Sequence, residues 1–325
     1  MSSVSIVIAA YCGEQFIIRQ MESLFRQTRL PDEIIISDDS PNENLARLVT
    51  ERAATAPCII KYSRNDHQLG STQNFAKGLL HCSCDIIFLC DQDDVWKEDK
   101  VEKLVNELEM HEDCDVVFCN SMMVDLMLNP LGRTTADIVN FTQEKAHDIN
   151  NGKGLLHLLR TPMLYGHNIA FRRSFLKILL PIPQILDSHD LFIAELCAGR
   201  GRLRCVYENL TLHCRHGNNL SVQNQPSGFT GRIKSLMRKH KKGMDKELRD
   251  SFLHAQKAWE RLMTLPEGEC PEENLKMLKK SVDYYEARLA LTSKARILRP
   301  FFILTVNGYF SCGYGMRSIL RDLLF

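Results

Sequence analysis

The chain has 325 residues, 44% of them hydrophobic, which is enough to bury a sizeable core in one large or two ordinary domains and sets aside a disordered chain. Its formal net charge is only +1, yet residues 1–224 carry 22 Lys and Arg against 29 Asp and Glu, and residues 225–325 carry 19 against 11, so an acidic front is joined to a basic rear. Twelve cysteines without a CxxC spacing exclude a zinc-ribbon or disulfide framework and read as reduced thiols, which implies a cytoplasmic protein.

The opening "MSSVSIVIAAYCGEQ" stops being apolar after about seven residues, too early for a secretory signal. "VSIVIAAY" predicts a first strand, "FIIRQMESLFRQ" a helix with Ile17, Met21, Leu24 and Phe25 on one face, and "EIIISDD" a second strand. A helix at "NLARLVTERAA", a strand at "CIIKYSR", a helix at "STQNFAKGLLHC", a strand through "DIIFLC", a helix at "KEDKVEKLVNELEMH" and a strand at "CDVVFCNS" follow. Five strands alternating with helices predict an α/β fold, a mostly parallel sheet flanked by helices. Beyond residue 120 the periodicity weakens: "NPLGRTTADIVNFTQ" reads as loop, "GLLHLLR" and "HDLFIAELCAG" as helices, and "LRCVYENLTLHCRH" as a strand. The segment "QNQPSG" is a linker candidate, and the chain from Gly228 onward is helical and basic. The longest uncharged window, 300–316, is interrupted by Asn307, Gly308, Gly313 and Gly315 and falls short of the roughly 20 apolar residues a spanning helix needs.

In "DIIFLCDQDDVWKEDK" an apolar run meets Asp91, Asp93 and Asp94, whose mutual repulsion disfavours such an ending to a buried strand unless a cation or ligand offsets it. Asp-x-Asp at a strand end suits Mn²⁺ or Mg²⁺, with open positions for phosphate oxygens. A solvated turn with Asp94 capping the next helix explains the same triplet. Asp38 and Asp39 end the second strand, where carboxylates accept hydrogen bonds from a base or a ribose, although "DDSPN" is also an ordinary turn. Ligands collect outside the carboxyl ends of strands in open α/β sheets, so both acidic pairs are expected in one cleft.

Seven segments in order, "VSIVIAAYCGEQFI", "EIIISDDS", "NDHQLGSTQNF", "DIIFLCDQDDVWKEDK", "YGHNIAFRR", "SHDLFIAELC" and "HCRHGNNLS", give residues 4 to about 222 a specific likeness. This stretch resembles the inverting, nucleotide-sugar-dependent glycosyltransferases of family 2, and among them the bacterial rhamnosyltransferase-like members. The resemblance implies a GT-A (Rossmann-like) catalytic domain over residues 1–224 and a helical, basic region over 225–325. It implies that Tyr11, Glu14, Asp38, Asp39 and Asn74 bind the nucleotide-sugar, with Asp39 on the base. It further implies that Asp91 and Asp93 hold the metal with His216, that Asp91 also reaches the ribose, that Asp190 is the general base, and that His167 and His189 lie on the acceptor side. Without the resemblance, Asp190 reads as a helix N-cap, and His216 and His167 as structural residues. Three positions depart from the family: Cys12 stands where Asn is frequent, "DDSPNEN" replaces the usual turn, and Gln73 replaces an Arg.

The function so implied is metal-dependent transfer from a dTDP-rhamnose or UDP-hexose type donor to a glycan or lipid-linked acceptor in surface polysaccharide or lipopolysaccharide synthesis. A nucleotidyltransferase would want a basic Gly-rich loop, and "AAYCGEQF" has no Lys or Arg. A non-catalytic GT-A-like adaptor is the remaining alternative, and the joint presence of Asp91, Asp93 and Asp190 speaks against it. In the rear part the cluster Arg238, Lys239, His240, Lys241, Lys242 lacks interleaved aromatics, which argues against nucleic acid. Two readings stay open there: a surface for an anionic membrane on the cytoplasmic leaflet, or helices packed on the catalytic domain or on a second subunit of a homo-oligomer.

Overall fold

The computed structural model describes residues 1–159, 164–216, 243–292, 299–303, 306–310, 312–313 and 315–324; the linker candidate and the basic cluster 238–242 lie outside them. The β-branched runs form strands where predicted: β1 (Val4–Ala10), β2 (Glu33–Asp38), β3 (Ile59–Arg64) and β4 (Ile86–Asp91), joined through α1 (Ile17–Phe25), α2 (Asn44–Ala53) and α3 (Ser71–Leu79). They pair in parallel in the order β3-β2-β1-β4. Alternate side chains of the central strands serve opposite faces. Ile6, Ile8, Ile36 and Phe88 pack with Ile17, Met21 and Leu24 of α1 and with Val101 and Leu104 of α4 (Lys100–Met110), whereas Val7, Ile35 and Leu89 pack with Phe75 and Leu79 of α3. Coverage on both faces explains why these strands read as unbroken apolar runs.

Five more strands complete a nine-stranded mixed sheet: β5 (Val95–Trp96), β6 (Val116–Val124), β7 (Pro130–Thr134), β8 (Ile169–Arg172) and β9 (Leu203–Cys214). The order is β3-β2-β1-β4-β8-β6-β9-β5, with β7 on β6. β8 runs antiparallel between β4 and β6, and β9 lies parallel to β6. The segment 129–143, read as loop, contains β7 and the short helix α5 (Thr135–Ile138), and α6 (Gln143–Asp148) starts at its end. The signal for α5 is a capping box: Asp137 N donates to Thr134 Oγ1 and Thr134 N to Asp137 Oδ2. β7 was not legible because its sequence, PLGRT, is almost fully exposed and lacks the alternation of a half-buried strand. Two further short helices, α7 (Gly154–Leu158) and α8 (Leu176–Leu179), precede α9 (His189–Gly199).

The rear part packs on α9 as a helical hairpin, α10 (Gly243–Met263) and α11 (Glu272–Thr292). Ala258, Leu262 and Leu278 join the same core as Phe192 and Leu196. A Cβ on Gly199 would lie 2.4 Å from Leu262 Cδ1, so that glycine is what lets the helices approach. Beyond it, α13 (Met316–Leu324) is tied to α11 by a buried two-pronged ion pair, Arg288 Nε to Asp322 Oδ2 at 2.8 Å and Nη2 to Oδ1 at 2.6 Å, and Arg299 of α12 (Arg299–Ile303) donates to Asp322 O at 3.3 Å. The Tyr309 hydroxyl donates to the same carboxylate at 2.7 Å.

Glu195 of α9 is buried, and its Oε2 accepts no hydrogen bond among the described residues. Burial pushes its carboxyl from the ordinary 4.5 up to about 8. The folded chain therefore keeps a proton here that the unfolded chain releases, and this group makes stability fall as pH rises from about 4.5 to about 8. Glu195→Gln is expected to flatten that slope and to raise stability at pH 8 by on the order of a few kcal/mol, measured by urea unfolding at pH 5 and pH 8.

Candidate active site

Parallel pairing puts the carboxyl ends of β2, β1 and β4 on one edge, with Asp38 beside Ala10 and Asp91 beside Ala9. At a strand spacing of about 4.8 Å the two acidic segments stand roughly 10 Å apart across the end of β1, as the cleft expectation required. The loop that leaves β1 is locked to the second segment. Gln92, between Asp91 and Asp93, accepts from Tyr11 N at 3.0 Å and donates to Tyr11 O at 2.9 Å. A Cβ on Gly13 would meet Gln92 Oε1 at 2.0 Å, so this clamp needs the glycine. Tyr11 is half-exposed and Glu14 partly so.

On the β2 side, the Asp39 carboxylate accepts from Asn65 Nδ2 at 2.5 Å, Leu69 N at 3.0 Å and Gly70 N at 2.8 Å. Asp38 and Asn74, like Asp39, are buried. Asp38 is fully buried and accepts from Ser40 N, Ser40 Oγ and the Tyr62 hydroxyl. Asn74, also buried, donates to Ala10 O and accepts from Asn65, so it braces the group that holds Asp39. Gln73 donates to Ile182 O at 3.3 Å and, with His67, Leu69 and Lys77, lines a cavity of about 700 Å³ between α3 and the 180–184 turn.

Asp91, Asp93 and Asp94 bring carboxylate oxygens within 4.8 Å of one another. The two-residue β5 pairs with β9, Val95 with Leu212 and Trp96 with Thr211, and this draws the end of β9 over the cluster. His216 Nε2 lies 2.8 Å from Asp93 Oδ2, and its ring stacks on Phe16 at 4.6 Å. Asp94 is not a helix cap, because α4 begins at Lys100 behind Asp99. It is fully buried, and its Oδ1 takes hydrogen bonds from His213 Nδ1 at 3.0 Å and Cys214 N at 3.1 Å. Its Oδ2 accepts none among the described residues.

The charges are strained accordingly. Burial, then Asp94 and Asp91, push the Asp93 carboxyl up to about 6. Burial also works to raise Asp94, but the nearby His167 and His213 outweigh it and hold that group low. An all-oxygen set with one orphaned, buried oxygen beside a carboxyl that resists ionisation fits a hard divalent cation, which would relieve the repulsion and leave positions for a ligand.

Ser188 caps α9 through its bond from Leu191 N, so Asp190 sits inside the first turn and is not the cap. One Asp190 oxygen accepts from Ser188 Oγ and from Leu191 N; the other takes no hydrogen bond among the described residues. His167 and His189, expected on the acceptor side, are both buried. His167 is buried in the turn that enters the central strand β8, and its Nδ1 points at Asp91 Oδ2, 3.3 Å away. The His189 ring lies tilted against Phe75, centroids 4.3 Å apart, beneath Gly166, where a Cβ would come 2.6 Å from its Nε2.

Sequence reasoning named Asp94 in the repelling triplet but not among the metal ligands, gave His213 no role at the cluster, and missed Lys100 and Ser121 beneath it. Lys100 is fully buried, burial lowers its pKa, and it lies 3.5 Å over the Trp96 ring. In "KEDK" it looks like any solvated lysine, and no local signal marks it.

Residues 5–180, more than half of the chain, match Glycosyl transferase family 2. The chain belongs to glycosyltransferase family 2. It is 25% identical over 227 residues to an uncharacterized glycosyltransferase of Nostoc sp., covering 66% of each chain. It is 29% identical over 103 residues to the dTDP-rhamnosyl transferase RfbG of Shigella flexneri, covering 30% of this chain and 36% of that one, so the likeness to a rhamnosyl transferase is distant and partial. Structurally it is similar to Staphylococcus aureus TarS 1–349 in complex with UDP-GlcNAc, at TM-score 0.56 and 14% identity over 99% of this chain and 89% of that one. It is also similar to the mannosyltransferase PcManGT of Pyrobaculum calidifontis in complex with GDP-Man and Mn2+, at TM-score 0.53 and 13% identity over 99% and 86%. The fold is thus that of GT-A glycosyltransferases.

In this family-2 enzyme the departure at Cys12 has a backbone meaning. Cys12 adopts φ +47°, a left-handed conformation, while its N–H donates to Ser40 Oγ and its side chain is exposed. Asn tolerates that conformation better than Cys. Cys12→Asn is expected to raise stability by about 0.5–1 kcal/mol without loss of activity, read from thermal unfolding and transfer assays.

Proposed function

We propose that this glycosyltransferase carries out an inverting, metal-dependent transfer of a hexose from a nucleotide-sugar to a hydroxyl of a glycan or lipid-linked acceptor, with Asp190 as general base. The observation that carries this reading is the Asp91–Asp93–Asp94 cluster with its orphaned oxygen, set on the same sheet edge as the donor-braced Asp39.

Asp39 takes the base N–H, while Tyr11 and Glu14 border the nucleoside. Asp93 and His216, with Asp91 and the free oxygen of Asp94, hold Mn²⁺ or Mg²⁺. When bound, the ion supplies neutralisation of the charge that develops on the leaving diphosphate. Asp190, through the oxygen left without a partner, accepts the proton of the acceptor hydroxyl as that oxygen bonds to the anomeric carbon and the bond to the diphosphate breaks. Its other oxygen, tied to Ser188 and Leu191 N, fixes the carboxylate's direction. The UDP-GlcNAc in TarS and the GDP-Man and Mn2+ in PcManGT support this class of donor and metal. A rhamnosyl donor rests only on the partial likeness to the Shigella enzyme.

The acceptor is proposed to be presented at a membrane surface during surface polysaccharide or lipopolysaccharide synthesis. No helix among the described residues is long and apolar enough to cross a membrane. The exposed Phe301, Phe310 and Leu320 of the last helices and turn support a contact from the outside.

Asp190→Asn is expected to lower transfer about 10²- to 10⁴-fold while nucleotide affinity holds. Asp93→Ala is expected to abolish the Mn²⁺ dependence of nucleotide binding. Both are measured by calorimetry and by nucleoside diphosphate release over a panel of UDP-, dTDP- and GDP-sugars. Wild-type turnover by Asp190→Asn would remove Asp190 from the base role.

A further inference from the structure

Beneath the carboxylate cluster lies a polar layer that the mechanism above does not use. The rings of His167 and His213 are stacked face to face, centroids 4.8 Å apart and planes within 5°. Both are buried, and each directs Nδ1 upward: His213 to Asp94 Oδ1 at 3.0 Å, and His167 to Asp91 Oδ2 at 3.3 Å and Asp94 Oδ2 at 3.5 Å. A lone pair at Nδ1 would face carboxylate oxygens, so the proton sits there and both rings act as donors.

The stack is itself held from behind. His167 Nε2 meets Ser121 Oγ at 2.9 Å, and that hydroxyl is fixed by the Asn168 amide at 2.7 Å. The Lys100 ammonium donates to His167 O at 2.6 Å and to Thr211 Oγ1 at 2.9 Å, which ties the β8 turn to β9 and sets one positive charge under the acidic cluster.

Asp94, His167 and His213 alone also bring ligand atoms within 4.8 Å. They do not make a second metal site. With the ring planes within 5° of parallel, the in-plane lone pairs lie in separate planes and do not converge on one point, and both Nδ1 atoms already serve carboxylates.

We propose that His167 and His213 are positioning residues: a stacked pair of donors that fixes Asp91 and Asp94 in the arrangement a divalent cation requires, before the cation arrives. This rests on the metal-dependent reading of the cluster. Outer partners that orient ligating carboxylates are worth about 10- to 100-fold in metal affinity. The two rings divide the work, His213 on Asp94 Oδ1 and His167 on Asp91 Oδ2.

The test titrates Mn²⁺ alone into the full chain, followed by electron paramagnetic resonance, with thermal unfolding of the same samples. Asn carries an amide nitrogen at the position of Nδ1, whereas Gln sets it one bond farther out. His167→Ala and His213→Ala are expected to weaken Mn²⁺ binding about 10- to 100-fold, His167→Asn and His213→Asn to stay within about threefold of wild type, and the Gln variants to resemble Ala. A role in packing alone would not separate Asn from Gln. Equal affinities for Asn and Gln, or wild-type affinity in the Ala variants, would overturn the proposal, and the Asn–Gln comparison stands even where Ala does not fold. A wild-type chain that takes up no Mn²⁺ would overturn the metal reading and this inference together.

Discussion

Three carboxylates at the end of a buried strand repel one another, and much of the surrounding architecture answers that repulsion. Two unit charges 4.8 Å apart at an effective dielectric constant near 20 interact by on the order of 3 kcal/mol, so three such pairs would rival the whole stability of a typical domain. The chain offsets this in two directions. From below come the stacked histidines, the Cys214 amide and the enclosed Lys100. From the side comes His216 on Asp93. What these leave unmatched is Asp94 Oδ2 and a carboxyl pushed up to about 6, a remainder that a hard cation would fit.

The same logic of satisfied buried groups sets the neighbouring half of the crevice. Asp39, Asn65 and Asn74 form a chain that ends on the last carbonyl of β1, so the carboxylate at the end of β2 is registered against the strand beside it. Gln92 does the same from the other side through Tyr11. Leaving such buried polar atoms unmade costs about 1–3 kcal/mol each, and this fixes loops that would otherwise be soft.

The rear helices share in this construction. Arg261 of α10 donates to Ile178 O at 2.6 Å and Pro181 O at 2.8 Å, and His254 lies 3.3 Å from Asp187, three residues before Asp190. The family match ends at residue 180, yet the segment that carries Asp190 follows it and is buttressed by helices outside that match. With Ala258, Leu262 and Leu278 in the main core, the apolar face of the hairpin is covered by α9.

By itself the sequence determined the four parallel strands, the helices between them and the carboxylates at their ends, because apolar periodicity and strand-terminal charge are local properties. It placed Asp39, Asp91 and Asp93 on one edge, since parallel strands must end together. Only the tertiary structure decided which polar residues look outward. Asp38, Asp39, Asn74, His167 and His189 are buried, and Lys100, Ser121 and His213 join the carboxylate cluster from α4, β6 and β9. Their roles arise from pairings such as β5 with β9 and β8 with β4, contacts between residues some 80 to 120 positions apart that no local pattern encodes.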